Sequence, residues 1–347
     1  MNLRRMNLRR RSVPLVTVLA LVLGACTGGG APSPGGDGDG ETTIFLGSGT
    51  TEAEAYMVPF LTIGREILAE DGISVEYVIL SSDEAVQAAL DRGRVDVAVQ
   101  SALGLQRALS AGLTGQFITG LQQHNSFPLV VPGDITDLSQ LEGMRVGIED
   151  PTSLAVTVAE LLLREQGGLE PGEDYEMVSL SGSSNRAAAL QSGSLDAAIL
   201  FRAVGAQLEQ DTGGDFKIWG GLWDVLDPML WEGIAASDEF MENEELARTF
   251  VSAMLETNRR FYEADPTELA QRKDDYPETE LLDLDGLVGD FELWQEIQLF
   301  PTDGGVTEEA YEGITQLLLN AGQLDEGTTV PYEDAVEPQL VDAVLEE

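Results

Sequence analysis

The chain has 347 residues, 43% of them hydrophobic and 23% charged, which is enough for two medium domains with buried cores. Its 61 acidic residues outnumber 19 basic ones, only two of which are lysines (Lys217 and Lys273), and the formal net charge is -42. Nucleic acid and anionic membrane surfaces are excluded as electrostatic partners, since both repel such a surface; the acidity itself fits either salty surroundings, where charges are screened, or simply a soluble exterior.

The N-terminal "MNLRRMNLRRRS" carries five arginines and runs into the apolar stretch "VPLVTVLALVLGA" of thirteen residues. A bilayer span needs about 20 apolar residues, so this stretch reads as the core of a signal peptide covering residues 1–25. The arginine pairs suit twin-arginine export as well as the general route. The stretch ends in Leu23-Gly24-Ala25-Cys26, which resembles the bacterial lipobox, and Cys26 is the only cysteine. Cleavage before it would leave a thiol for diacylglycerol attachment and a lipid anchor on the outer face of the cell membrane; the alternative is a buried core thiol. Residues 26–41 contain "TGGGAPSPGGDGDGE". Rich in Gly, Pro and Asp, they read as a flexible tether spanning on the order of 20 Å.

From residue 42 the pattern alternates. "TTIFLGSGTT" predicts a strand and a Gly-rich turn, and "EAEAYMVPFLTIGREILAEDG" one helix ending at Gly72. "VEYVIL" is a strand. "SSDEAVQAALDRG" is a helix capped by Ser82 or Asp83 and closed by Gly93; "VDVAV" is a strand and "SALGLQRALSAG" a helix. A second series follows: "LEGMRVGIEDPTSLAVTVAELLLREQGG", the strand "YEMVSL", a capped helix in "SGSSNRAAALQSG", and the strand "LDAAIL". Alternation of this kind argues for parallel βαβ units. The phrase A-A-L-x-x-G-x-[VL]-D-[VA]-A occurs at Ala88 and again at Ala188, and marks the helix-to-strand step of two similar α/β lobes. From Pro228 onward the reading is mostly helical, with a cap expected at Thr307. Residues 123–133 and 220–233 read as crossings between lobes, so that residues 42–125 and 230–347 form lobe 1 and residues 126–229 form lobe 2.

Catalytic chemistry has little to draw on. His124 is the only histidine and has no cysteine near it, which disfavours a zinc site. "GSGTTE" lacks the third glycine of a dinucleotide fingerprint and no P-loop lysine follows. "DLDG" at Asp283 lacks the rest of a calcium loop. No resident cofactor or metal is expected. Binding chemistry is better supplied. In α/β lobes ligands sit beyond the carboxyl ends of parallel strands, where helices start and their N–H groups are unpaired. Small polar residues fall at five such places: Ser48 with Thr50 and Thr51, Ser81 with Ser82, Gln100 with Ser101, Thr152 with Ser153, and Ser183 with Ser184. N-capping is the alternative for each. Tyr56 and Pro59 are candidate cleft walls. Arg202 is a candidate partner for an anionic group, or else for Glu209 or a neighbouring acid. Trp219, Trp223 and Trp231 offer stacking surface or core packing.

The phrases "AALDRGRVDVAVQS", "LSQLEGMRVGIEDPTSLA", "VSLSGSSNRAAALQSGSLDAAIL", "AASDEFMENEELARTFVSAMLETNRRFYEADPTELA" and "FPTDGGVTEEAYEGITQLLLNAG" occur in the order found in one family. Together they resemble the substrate-binding proteins of ABC importers for nitrate, sulfonates, taurine and thiamine-pyrimidine precursors. The resemblance implies a type II periplasmic-binding fold, α/β, with two mostly parallel sheets, two crossings and hinge closure around a small molecule delivered to a permease. It implies ligand contacts at Thr50–Thr51, Ser81–Ser82, Gln100–Ser101, Thr152–Ser153 and Phe201–Arg202, beside the wall candidates Tyr56, Trp223 and Trp231. It also implies a monomer without enzymatic activity. Two alternatives stay open: a same-fold enzyme acting on a pyrimidine-like ring through His124, although the cysteine-rich motif of such enzymes is missing, and a receptor signalling to a sensor. "EDPTS" stands where many members have a glycine-rich turn. With Glu149, Asp150 and Glu232 near the expected cleft, a neutral or zwitterionic ligand is as compatible as an anion.

Overall fold

The computed structural model describes residues 42–49, 54–80, 82–149, 154–280 and 282–346; the expected leader, anchor and tether lie outside them. In chain order the first half runs β1 (Thr42–Ser48), α1 (Arg65–Glu70), β2 (Ile73–Ile79), α2 (Asp83–Leu90), β3 (Val97–Ser101), α3 (Ala102–Ser110) and β4 (Gln116–Gln122). After a crossing at 123–128 come β5 (Leu129–Pro132), β6 (Arg145–Ile148), α4 (Leu154–Gly167), β7 (Glu176–Ser179), α5 (Ser183–Gln191), β8 (Ala197–Ile199), α6 (Arg202–Thr212) and β9 (Phe216–Gly220). The chain returns through 221–231 as β10 (Glu232–Ala236). It ends in α7 (Asp238–Met241), α8 (Glu244–Glu263), α9 (Pro266–Gln271), α10 (Leu284–Glu296), α11 (Glu308–Asn320), α12 (Tyr332–Ala335) and α13 (Gln339–Leu345).

The strands form two five-stranded sheets, ordered β2-β1-β3-β10-β4 and β7-β6-β8-β5-β9. The two orders are the same once each sheet is numbered from its own first parallel strand. In each, one strand runs against the rest. β10 is antiparallel to β3 and β4, and β5 is antiparallel to β8 and β9. Both of these are the strands that follow a crossing. The second sheet is covered on both faces, as parallel sheets require. Val130, Ala198 and Leu200 pack with Leu190, Leu195 and Leu208 on one side, while Leu129, Val131, Ala197 and Ile199 join the larger cluster on the other.

The duplicated phrase is duplicated in three dimensions. Gly93 and Gly193 both take the left-handed conformation (φ 60 and 71) that ends the helix. The next N–H closes the same turn in each, Arg94 to the carbonyl of Ala89 and Ser194 to that of Ala189, both at 2.8 Å. The aspartate then bonds the neighbouring strand twice. The Asp96 N–H donates to the Phe45 carbonyl at 2.9 Å and its carboxylate accepts from the Phe45 N–H at 2.7 Å. Asp196 does the same with Arg145, both bonds at 2.9 Å. The second copy adds an ion pair with the Arg145 guanidinium, which holds the Asp196 carboxyl below the usual range, whereas burial raises that of Asp96. So the aspartate begins the strand by pairing an edge N–H that the ladder has not yet reached.

Two local expectations are corrected. Residues 52–72 do not form one helix: among the described residues a 3-10 turn (Ala55–Met57) and a π segment (Phe60–Gly64) precede α1. Pro59 has no N–H to continue the ladder, and the Thr62 hydroxyl donates back to the Val58 carbonyl at 2.6 Å. Gly64 is required there, because a β-carbon would lie 2.4 Å from the Phe60 ring. The helix at 183 is not capped by a serine side chain. Gly182 occupies the N-cap, and the Ser183 hydroxyl accepts from the Phe201 N–H at 2.7 Å. Ser82 and Thr307 do cap their helices, accepting from Ala85 and Ala310 at 3.2 and 3.1 Å.

Candidate functional site

A cavity of about 490 Å³ opens where elements of both sheets meet. The first sheet contributes through its strand ends. Register places Ser101 (β3), Glu232 (β10) and Gln122 (β4) side by side across three strands, and all three line the cavity. Glu54, Ala55 and Tyr56 enter from the turn after β1, and Ala102 and Leu103 from the start of α3. The first crossing supplies His124, Asn125, Ser126 and Phe127; the second ends in Trp231. The second sheet contributes Phe201 and Arg202 at the start of α6, beyond β8. The last wall is helical: Leu282, with Asp290 and Trp294 from α10 and Ile314 and Leu318 from α11.

Packing fixes these positions. The Ser101 hydroxyl caps α3 by accepting from Gly104 at 3.0 Å. The Trp231 N–H donates to the Gln122 carbonyl at 3.0 Å, and the Ala102 N–H to the Trp231 carbonyl at 3.1 Å, so β3, β4 and the second crossing are locked together. The Phe127 and Phe201 rings lie 5.3 Å apart and join the first crossing to α6. Phe201 is 51% exposed, unusual for its type, and faces the opening. The α6 and α10 helices approach through glycine. A β-carbon on Gly289 would lie 2.2 Å from Arg202 Nη1, and one on Gly286 would lie 2.9 Å from Ala203 Cβ.

The charge of the site is carboxylic. Burial, with Glu232 and Asp83 adding repulsion, pushes Glu54 up to about 8. Burial, with Asp83, pushes Glu232 up to about 7, although the Gln122 amide donates to it at 2.8 Å. Burial also pushes Asp290 up to about 7, opposed by the positive charge of Arg202. The Tyr56 hydroxyl donates to Glu54. His124 is 8% exposed, and burial holds its imidazole below the usual range, so the ring is neutral at pH 7. No side-chain hydrogen bond engages the imidazole among the described residues. It therefore lacks the oriented base–carboxylate pair of a nucleophilic relay.

Of the residues singled out from the sequence, the cavity brings together Tyr56, Ser101, His124, Phe201, Arg202, Trp231 and Glu232. Ser82 caps α2 and Gln100 is buried within β3; neither lines the cavity. Trp223 does not line it either. Its ring packs on the backbone of Gly221, where a β-carbon would meet it at 2.2 Å. The Trp219 indole instead donates to Gln166 at 2.8 Å. Arg202 makes no ion pair with Glu209 among the described residues; its charge acts on Asp290. Thr50, Thr51, Ser81, Thr152, Ser153 and Cys26 lie outside the described residues. Sequence reasoning missed Glu54, Asn125, Asp290 and Trp294. Glu54 is only two residues from the singled-out Tyr56, but Asp290 and Trp294 reach the site through tertiary packing of helices with no local signal.

Two sheets of the same strand order, joined by two crossings around a cavity beyond their strand ends, define a two-lobed α/β solute-binding protein. The chain belongs to the family described as ABC transporter, phosphonate, periplasmic substrate-binding protein, whose model matches residues 51–257, more than half of the chain. Solved structures agree in fold. One is a periplasmic sulfonate-binding protein SsuA of Methylobacillus flagellatus KT (TM-score 0.66, 19% identity, covering 88% of this chain and 94% of that one). Another is the periplasmic nitrate-binding protein NrtA of Synechocystis PCC 6803 (TM-score 0.66, 15% identity, 88% and 89% covered). A third is a mutant of DSZB in complex with biphenyl-2-sulfinic acid (TM-score 0.64, 15% identity, 88% and 99% covered). Comparison by sequence with curated proteins gave no match.

Proposed function

We propose that this chain is the extracytoplasmic capture component of an ABC importer, held at the membrane by lipid on Cys26, and that it takes up one small molecule per monomer in the cavity described above. Residues 42–125 and 230–347 act as one lobe and residues 126–229 as the other, closing about the crossings when ligand touches both. The observation that carries the reading is the cavity itself, since in a chain of this family it is walled by groups from both sheets and both crossings. Structural relatives named for sulfonate and nitrate supply the first ligand classes to test. The delivery partner is a membrane permease. No helix among the described residues is long and apolar enough to cross a membrane. The isolated, neutral His124 favours capture without turnover over the enzymatic alternative.

A thermal-shift screen of sulfonates, phosphonates, nitrate, amines and pyrimidines at fixed high salt tests capture. A ligand that binds only the native state raises the midpoint, by about 2.7 kcal/mol of stability at a hundredfold excess over Kd. The hit must be recovered chemically unchanged; conversion to a product would replace capture by catalysis. Anchoring is tested separately. Cys26→Ser should move the chain from the membrane fraction to the soluble one, and an unaltered distribution would refute the lipid.

A further inference from the structure

Among the described residues the cavity holds one arginine against three carboxyl groups, and the pairing is uneven. Arg202 acts on Asp290. Glu54 and Glu232 are left with neutral donors only, the Tyr56 hydroxyl and the Gln122 amide, and neither takes part in a salt bridge among the described residues. From α2, Asp83 adds a further negative charge to both. A second observation is independent of the acids. His124, only 8% exposed, lines the same cavity and its side chain makes no hydrogen bond among the described residues, which leaves its ring nitrogens for a ligand to use. Beside these groups stand the aromatic rings of Tyr56 and Trp231, whose faces attract cations.

We propose that the ligand carries a protonated or quaternary nitrogen, seated between Glu54 and Glu232 with its apolar body against Trp231. This deepens the capture reading and rests on it. An oxyanion in the same place would meet two carboxyls in a desolvated pocket, where like charges cost most. A cation instead neutralises the pair, and an N–H on it can donate to His124. The carboxyls of the pair are pushed up to about 8 and 7, so affinity for a cation rises with pH through that window. Asp83, Asp290, Arg202, His124 and the hydroxyls of Tyr56 and Tyr77 are the other titratable groups around the pair among the described residues. Asp290, pushed up to about 7, strengthens the trend; burial raises Asp83 as well; and Tyr77, pushed up to about 12, does not titrate within the window.

Isothermal titration of the purified chain with benzylammonium, phenyltrimethylammonium and benzenesulfonate, at one salt concentration and at about pH 6 and 8.5, tests this. Both cations should bind, more tightly at the higher pH, and the sulfonate should not. Glu232→Gln and Glu54→Gln should each weaken the cations on the order of tenfold or more, while Glu242→Gln, outside the cavity, leaves them unchanged. Thermal midpoints of the free variants show that they fold. Binding of benzenesulfonate without the cations overturns the inference but leaves capture standing. Cation binding that ignores both substitutions, or no cation binding, also overturns it. If no small molecule of any class binds, capture falls with it.

Discussion

Glu54, Glu232 and Asp290 are held in a site where ionising them is unfavourable, and stability must register this. Each has a folded value, about 8, 7 and 7, above its ordinary one of 4.5, 4.5 and 3.8. Between those limits the folded chain binds more protons than the unfolded chain, so stability falls as pH rises from about 4 through 8. Ligand-free protein should therefore melt higher at about pH 5.5 than at about pH 8.5. Glu232→Gln should remove part of that slope and raise the midpoint at the higher pH, by roughly 2–4 °C for each kcal/mol relieved. Calorimetry checks this; a midpoint lowered by Glu232→Gln would mean that the carboxylate is satisfied by something other than a ligand. Natural sites commonly give up stability for function in this way. At this scale the sequence was partly legible. Ser101, Phe201 and Arg202 stand where strand ends meet helix starts, Tyr56 lies in the helical turn after β1 and Trp231 at the end of a crossing, positions that local pattern reveals. Glu54 and Asp290 were not legible, since an acid among 61 draws no notice until burial isolates it.

Among the elements, α6 and α10 carry the contact between the second sheet and the C-terminal helices. Their approach depends on Gly286 and Gly289, whose missing side chains leave room for Ala203 and Arg202. The neighbour of Gly289 is the far end of a flexible side chain, so Gly289→Ala should displace the guanidinium rather than unfold the helix. Alanine is favoured over glycine in a helix by about 1 kcal/mol. The variant should melt at or above wild type while its Asp290 carboxyl, deprived of Arg202, titrates higher by NMR. A loss of more than about 2 kcal/mol would show that the helix pair itself cannot adjust. Elements with local punctuation were readable in advance: Gly93 as a helix end, Ser82 and Thr307 as caps, and the helix-to-strand step at both copies of the repeated phrase. The helix expected over 52–72 was not, because Pro59 and the back-bonding Thr62 outweigh its apolar spacing. The serine at 183 likewise serves the N–H of Phe201, a partner eighteen residues away that no capping rule foresees.

Over the whole molecule, a net charge of -42 makes the compact state repel itself. Screening shortens from about 10 Å at 0.1 M salt to about 3 Å at 1 M, so the midpoint should climb across that range; a flat profile would show the charges to be too dispersed to matter. The repeated phrase made the two-sheet plan legible, because it marks the same step in each half and both halves build the same strand order. The placement of α10 and α11 against the cavity was hidden, as it depends on how helices beyond the second crossing pack back onto the first sheet. The central claim is that this cavity captures a small molecule and releases it unaltered. Native mass spectrometry of the purified chain beside Ser126→Trp, which fills the cavity from the first crossing, tests it most directly. The expected result is a bound mass on the wild-type chain, recovered intact after denaturation and missing from the folded variant. The same bound mass on both proteins, or a released species that the wild-type chain has chemically changed, would contradict it.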